Sequence, residues 1–257
     1  MRKGTFAMVA VLFCGFHGRQ PLACGNRWRD NRRWVAFGGC HPQISDTYIR
    51  VGRVDRKLAL QRNTIGIGRV IQVLKGAARS GVEVPQLLAS CDIPRALLEQ
   101  PGARIERDTF IKLLMLVMQQ TQDEFVGLGQ GRKSKPGTFS MMTHAVINCS
   151  SLGKALERGI RFYDMFDLQL STQLVVEDGH AMLVSRADNR LDFREVILET
   201  QFLLSLRFMS WLIGKPMVLS AVEFDFPDTD PDRHVLFSCP IRFSMPVNRL
   251  IFSADYL

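Results

Sequence analysis

The feature that most limits what this chain can fold into is a change of period near residue 168. Before it, apolar side chains recur three and four residues apart, as one face of a helix requires. Ile67, Val70, Ile71 and Leu74 follow that spacing, and the run ends at Gly81. Pro85 opens a short second helix, and residues 95–100 make a third, broken by Pro101-Gly102. A strong amphipathic helix begins at Glu106 and shows Phe110, Leu113, Leu114, Val117 and Met118 on one face. Asp123 is placed to cap a short helix over 125–128. Residues 138–148 read as helical, and Ser150 or Ser151 caps a following helix that carries Leu152, Leu156, Ile160 and Tyr163.

Past that point the period is two. Leu168, Leu170, Thr172, Leu174 and Val176 alternate with polar neighbours as far as Asp178-Gly179, and Met182 and Val184 resume the alternation. Asp-Gly between two such runs predicts a hairpin. Residues 193–213 then form a long apolar helix, in which Glu195, Glu199, Gln201 and Arg207 argue against a membrane span. Its apolar side chains point all round, so it is expected to be buried on most sides or to pack against a partner chain. A strand over 218–226, a short helix over 231–237 and a closing hairpin of 241–243 with 250–252 complete the reading. The predicted class is α+β, with N-terminal helices followed by a small mixed or antiparallel sheet packed against a long buried helix.

Charge divides the chain. Residues 1–65 hold 12 Lys/Arg against 3 Asp/Glu, whereas residues 66–257 hold 21 against 22. The basic excess therefore sits in the front segment, and the body lacks the basic face expected of a DNA-gripping domain. Residues 1–25 start like a signal peptide, with Arg2 and Lys3 before an apolar run. Gly15, His17 and Arg19 break that pattern, and the run is too short to span a bilayer. NRWRDNRRW at 26–34 interleaves arginine with tryptophan, which suits either a nucleic-acid or membrane-surface arm or an unstructured extension. Residues 1–65 are accordingly set apart as a basic extension, and 66–257 as the folded domain.

Catalytic patterns are missing from the sequence. There is no GxSxG, HExxH or P-loop, and Gly66–Gly68 is only GxG without a strand before it. Neither Cys14, Cys24 and Cys40 in front nor Cys91, Cys149 and Cys239 in the body form CxxC, so they read as free thiols. Asp228, Asp230 and Asp232 alternate, but nothing after them completes a calcium cage. No enzyme, metal site or cofactor is expected. The basic loop 131–137 reads as a solvated turn or a phosphate contact, and RFYDMF at 161–166 as core or pocket lining.

Two stretches carry a resemblance. PGTFSMMTHAVINCSSLGKALERGIRFYDMF at 136–166 places Gly137, Phe139, Ser150, Leu152, Ala155, Leu156, Phe162 and Tyr163 as in the N-terminal effector domain of one branch of AraC-type bacterial transcription regulators. Ser140 stands where that pattern has a second glycine. In VEFDFPDTDPDRHVLFSCPIRFSMPVNRLIFSADYL at 222–257, Phe237, Pro240, Phe243, Asn248, Leu250 and Phe252 fit the same domain's ending, with His234 near the place of its usual tyrosine. The resemblance covers roughly 66–257. It implies a cytoplasmic sensor and dimerisation module for a small-molecule effector, as a homodimer or a heterodimer with a full-length regulator. DNA would be reached through a helix-turn-helix domain that follows in such regulators and has no counterpart in these residues, so the chain is expected to be a truncated form.

Within that expectation the effector pocket lies between the hairpin sheet and the helices of 138–166. His144, Arg161 and Tyr163 are the candidate ligand-binding groups, with Arg161 placed to clamp a carboxylate. Ordinary surface or structural roles for all three compete with this. Leu204, Phe208 and Trp211 on the long helix are the candidate dimer contacts. An exported or membrane-attached small-molecule-binding protein is the alternative, resting on residues 1–25.

Overall fold

The computed structural model describes residues 64–129, 133–166, 168–230, 233–234 and 236–257. The basic extension with its arginine–tryptophan run, Gly131 and Arg132 of the basic loop at 131–137, and Pro231 and Asp232 lie outside the described residues. Those described hold six α-helices, a two-stranded sheet and a five-stranded sheet, an α+β fold.

The first layer is helical. β1 (Thr64–Gly66) pairs antiparallel with β2 (Arg104–Glu106), and this ribbon joins α1 (Ile67–Arg79) to α3 (Arg107–Thr121). Between them lie α2 (Val84–Ser90), with proline in its first turn where its missing N–H costs nothing, and a 3₁₀ turn at Arg95–Glu99. Of the apolar stripe predicted for α1, Ile67, Val70 and Leu74 are buried and Ile71 partly so; Val73 joins them in the core shared with Leu113 and Val117 of α3. The expected helix over 125–128 is instead a series of turns. Val126 and Gly127 both take positive φ, 50° and 76°, which no α-helix accommodates. The buried Asp123 carboxylate holds this turn by accepting from the backbone N–H groups of Phe125, Gly127 and Ser134. Gly127 meets Gly76 of α1 closely; a Cβ on Gly127 would stand 2.2 Å from the Gly76 carbonyl oxygen.

Two helices that pack on each other follow, α4 (Thr138–Val146) and α5 (Leu152–Asp164). The Ser151 hydroxyl caps α5 by accepting from the Lys154 N–H. β3 (Leu170–Glu177) and β4 (His180–Ala187) form the predicted hairpin, and Asp178 and Gly179, at φ 47° and 74°, supply the two left-handed residues of its turn. The long helix is α6 (Arg194–Leu212).

The sheet runs β3-β4-β7-β5-β6, where β5 is Leu219–Glu223, β6 Ile241–Arg242 and β7 Asn248–Ser253. This corrects the closing hairpin expected at 241–252. β6 lies parallel to β5, and β7 inserts antiparallel between β4 and β5. The alternation of both runs is present in the strands, but alternation shows which face is buried and not which strand is the neighbour. β7 accepts partners on both edges, so β6 is left to the outer edge of β5. Ala181, Leu183 and Ser185 of β4 stand across from Phe252, Leu250 and Asn248 of β7, all buried beneath α6 and α5.

α6 explains its own sequence. Val196 and Ile197 belong to the helical-layer core, Leu198, Phe202 and Met209 to the sheet core, and Phe208 to a third cluster with Phe139, Met142, Val146 and Ala155. One helix touching three apolar neighbourhoods needs apolar residues all round.

Candidate functional site

A cavity of about 290 Å³ lies where α4 and α5 meet α6, α1, α3 and the β3–β4 hairpin. That volume is at the lower end of small-molecule pockets. Its wall is mainly apolar, with Phe110 and Met118 from α3, Phe139 from α4, Ile160 from α5, and Leu203 and Phe208 from α6. The edge-on contact of Phe139 with Phe208, centroids 5.3 Å apart, closes one side.

Each wall follows from helical periodicity. On α5 the inward stripe is Leu152, Ala155, Leu156, Gly159, Ile160 and Tyr163. On α4 it is Phe139, Met142 and Val146. Of the three expected ligand groups, Tyr163 falls on its stripe and lines the cavity. His144 and Arg161 fall between the stripe positions of their helices, stand exposed, and are not part of the wall. The apolar spacing of each helix already separates them.

Among the polar groups of the wall, Glu124 is 4% exposed. Its Oε1 accepts the Gly137 N–H at 2.8 Å, and its Oε2 accepts the Phe139 N–H at 3.0 Å and the Ser134 hydroxyl at 3.2 Å. The carboxylate thus serves the open N–H groups at the start of α4. Burial pushes its pKa up; the three hydrogen bonds oppose that, and the charge of Asp123 adds to it. The Tyr163 phenol is also pushed up, by burial first and then by the Glu124 charge, so the two groups sense each other. From α6, the Gln201 side-chain N–H donates to the Thr172 hydroxyl, which bonds in turn to Ser185. The Gln201 Oε1 is buried without a partner.

Arg69 from α1 also lines the cavity, but its charge is engaged. Its Nη2 is 2.7 Å from the buried Glu199 of α6 and 3.9 Å from Asp230. Glu199 also holds the buried Arg233, which reaches Glu195 one turn earlier. Burying charge requires such pairing, and this network ties α1, α6 and the 227–233 loop together. Glu199 and Gln201 were visible in the sequence as polar residues on an apolar helix. Their partners were not, since Arg69 lies 130 residues from Glu199.

The dimer candidates are accounted for largely within the chain. Leu204 and Phe208 line the cavity, and Phe208 is buried. Trp211 stacks on Phe208 at 5.8 Å and stays half-buried.

A cavity between a helical layer and a small sheet is what an effector domain requires, and comparison with known proteins agrees. Residues 81–257 match the family model described as the arabinose-binding domain of AraC transcription regulators, N-terminal part. The chain belongs to this family. It is also 23% identical, over 183 residues, to the ornithine utilization regulator of Pseudomonas aeruginosa. That alignment takes in 70% of this chain and 54% of the regulator, so the chain spans about half the length of its curated relative. The AraC-family match starts inside the helical layer and includes α4, α5, α6 and the whole five-stranded sheet. The family is one of transcription regulators and not of enzymes. Among the described residues no helix is long and apolar enough to cross a membrane.

Proposed function

We propose that residues 66–257 are the effector-sensing half of an AraC-type regulator, acting in the cytoplasm on transcription and catalysing no reaction. The observation that carries this is the mainly apolar cavity with a few convergent polar groups, inside a domain of the arabinose-binding family. A ligand there would contact α1, α3, α4, α5 and α6 together, so its binding free energy would bias how those elements pack. The near balance of 21 basic and 22 acidic residues in 66–257 supports assigning DNA contact to a helix-turn-helix unit outside these residues. Ornithine, named in the relative's description, joins the first effectors to try.

The test is thermal stabilisation of the purified chain by a panel of small metabolites, repeated with Ala155→Phe, which fills the cavity. A shift lost in that variant supports the site, whereas a shift it retains places binding elsewhere. Dimerisation, with a second copy or with a full-length regulator, belongs to the same proposal, and the half-buried Trp211 is its candidate contact. Light scattering decides this, and a monomer at every concentration rejects it.

A further inference from the structure

The charges around the cavity narrow the effector to a chemical class. Among the described residues of the wall, Arg69 is the one base, and it is matched by Glu199 and faces Asp230. It has no free charge to offer a ligand carboxylate or phosphate. Arg161, the sequence's candidate clamp, lies outside the wall. By contrast, the acids Glu124 and Asp164 both line the cavity, and neither has an ion-pair partner among the described residues. Asp164 is exposed at the end of α5 and marks the open side; Glu124 is buried.

Glu124 is not saturated. A carboxylate oxygen accepts two hydrogen bonds, and its Oε1 accepts one, from Gly137. The Tyr163 hydroxyl forms no hydrogen bond among the described residues, and the Gln201 Oε1 is a buried acceptor with nothing to accept. Three oxygens are therefore open to a donor, one of them charged. The surrounding Phe110, Phe139 and Phe208 faces suit an apolar body, and aromatic faces attract cations.

We propose that the effector is a compact organic amine with an apolar body, its ammonium received by Glu124 Oε1 with Tyr163 and Gln201 as further acceptors. This rests on the cavity being the effector site, and it excludes ligands whose recognition depends on an anionic group. An ammonium adds an ion pair to the hydrogen bond it gives a buried carboxylate, whereas an alcohol of the same shape gives the hydrogen bond alone. The amine should therefore bind about tenfold tighter than the alcohol of the same shape.

The experiment compares 2-phenylethylamine, 2-phenylethanol and phenylacetate on the purified chain, by calorimetry and by thermal shift. The inference expects the amine to bind about tenfold tighter than the alcohol, with phenylacetate weakest. Alcohol or carboxylate equal to or tighter than the amine overturns the amine class and leaves the cavity as the effector site. No binding by any of the three, nor by the same series built on hexyl and cyclohexyl bodies, overturns the cavity reading and the inference with it. Glu124→Gln should reduce the amine to the alcohol's affinity. Because Glu124 also supports α4, Tyr163→Phe serves as the milder variant, expected to weaken the amine severalfold while the far-ultraviolet spectrum stays unchanged. Amine affinity unaltered in both folded variants overturns the assignment.

Discussion

Replacing Gly127 with alanine tests whether the turn that carries Asp123 and Glu124 is seated on α1 as closely as described. Two costs add. Gly127 holds φ at 76°, a left-handed conformation that costs an alanine about 1–2 kcal/mol. The added Cβ would also stand 2.2 Å from the Gly76 carbonyl oxygen, 2.6 Å from the Ser80 hydroxyl and 2.7 Å from the Gly76 carbonyl carbon. Two of those three atoms are backbone, so helix and turn must separate, an overpacking cost of about 1–3 kcal/mol. The total is about 2–5 kcal/mol, which for a domain this size lowers Tm by about 4–20 °C. Gly81→Ala is the control. Its φ of 81° is nearly the same, yet nothing lies within 4 Å of its Cβ position. Only the conformational cost remains there, about 1–2 kcal/mol. Gly68, helical and equally open, should lose nothing as alanine and gain up to about 1 kcal/mol. Differential scanning calorimetry of the three variants reads the difference. If Gly127→Ala is no more costly than Gly81→Ala, the close crossing of α1 and the 123–128 turn does not exist in solution.

Glu199→Ala should cost up to about 3–5 kcal/mol in urea unfolding, since it removes the buried carboxylate shared by Arg69 and Arg233 and leaves Arg233 to the more exposed Glu195 and Arg69 to Asp230 at 3.9 Å; a loss under about 1 kcal/mol would show that the network contributes little. Glu124, with its pKa raised by burial, stabilises the fold most when protonated. Its contribution is full below the ordinary value of 4.5 and fades as pH rises through the raised folded value. Asp123 and Tyr163 face it and remain in Glu124→Gln, so a Tm profile across mildly acid pH that is identical in both proteins would refute this. Asn248→Ala should cost about 1–3 kcal/mol for each group it leaves unpaired, because its amide bonds the Asp225 N–H and the Ser185 carbonyl from a buried position. Measured by urea midpoint, a change below about 0.5 kcal/mol would mean water reaches those groups.

Legibility in the sequence followed the range of the interactions involved. α1, α3, α5 and α6, the Asp178-Gly179 hairpin and the cap at Ser151 depend on contacts between residues a few positions apart, and period, turn chemistry and capping residues declare such contacts directly. Tyr163 could be placed in a pocket for the same reason, since it completes the stripe that begins at Leu152. His144 and Arg161 lie off the inward phase of their helices, so the packed structure leaves both exposed and outside the cavity wall. The placement of β7 between β4 and β5, the meeting of Gly76 with Gly127, and the pairing of Arg69 with Glu199 belong to the tertiary structure alone. Each joins segments far apart in the chain, and a residue's type and spacing show that it needs a partner without naming which one. The cavity is of that second kind: its wall is assembled from helices and strands across the described domain, so its charge balance emerged only once they were packed together.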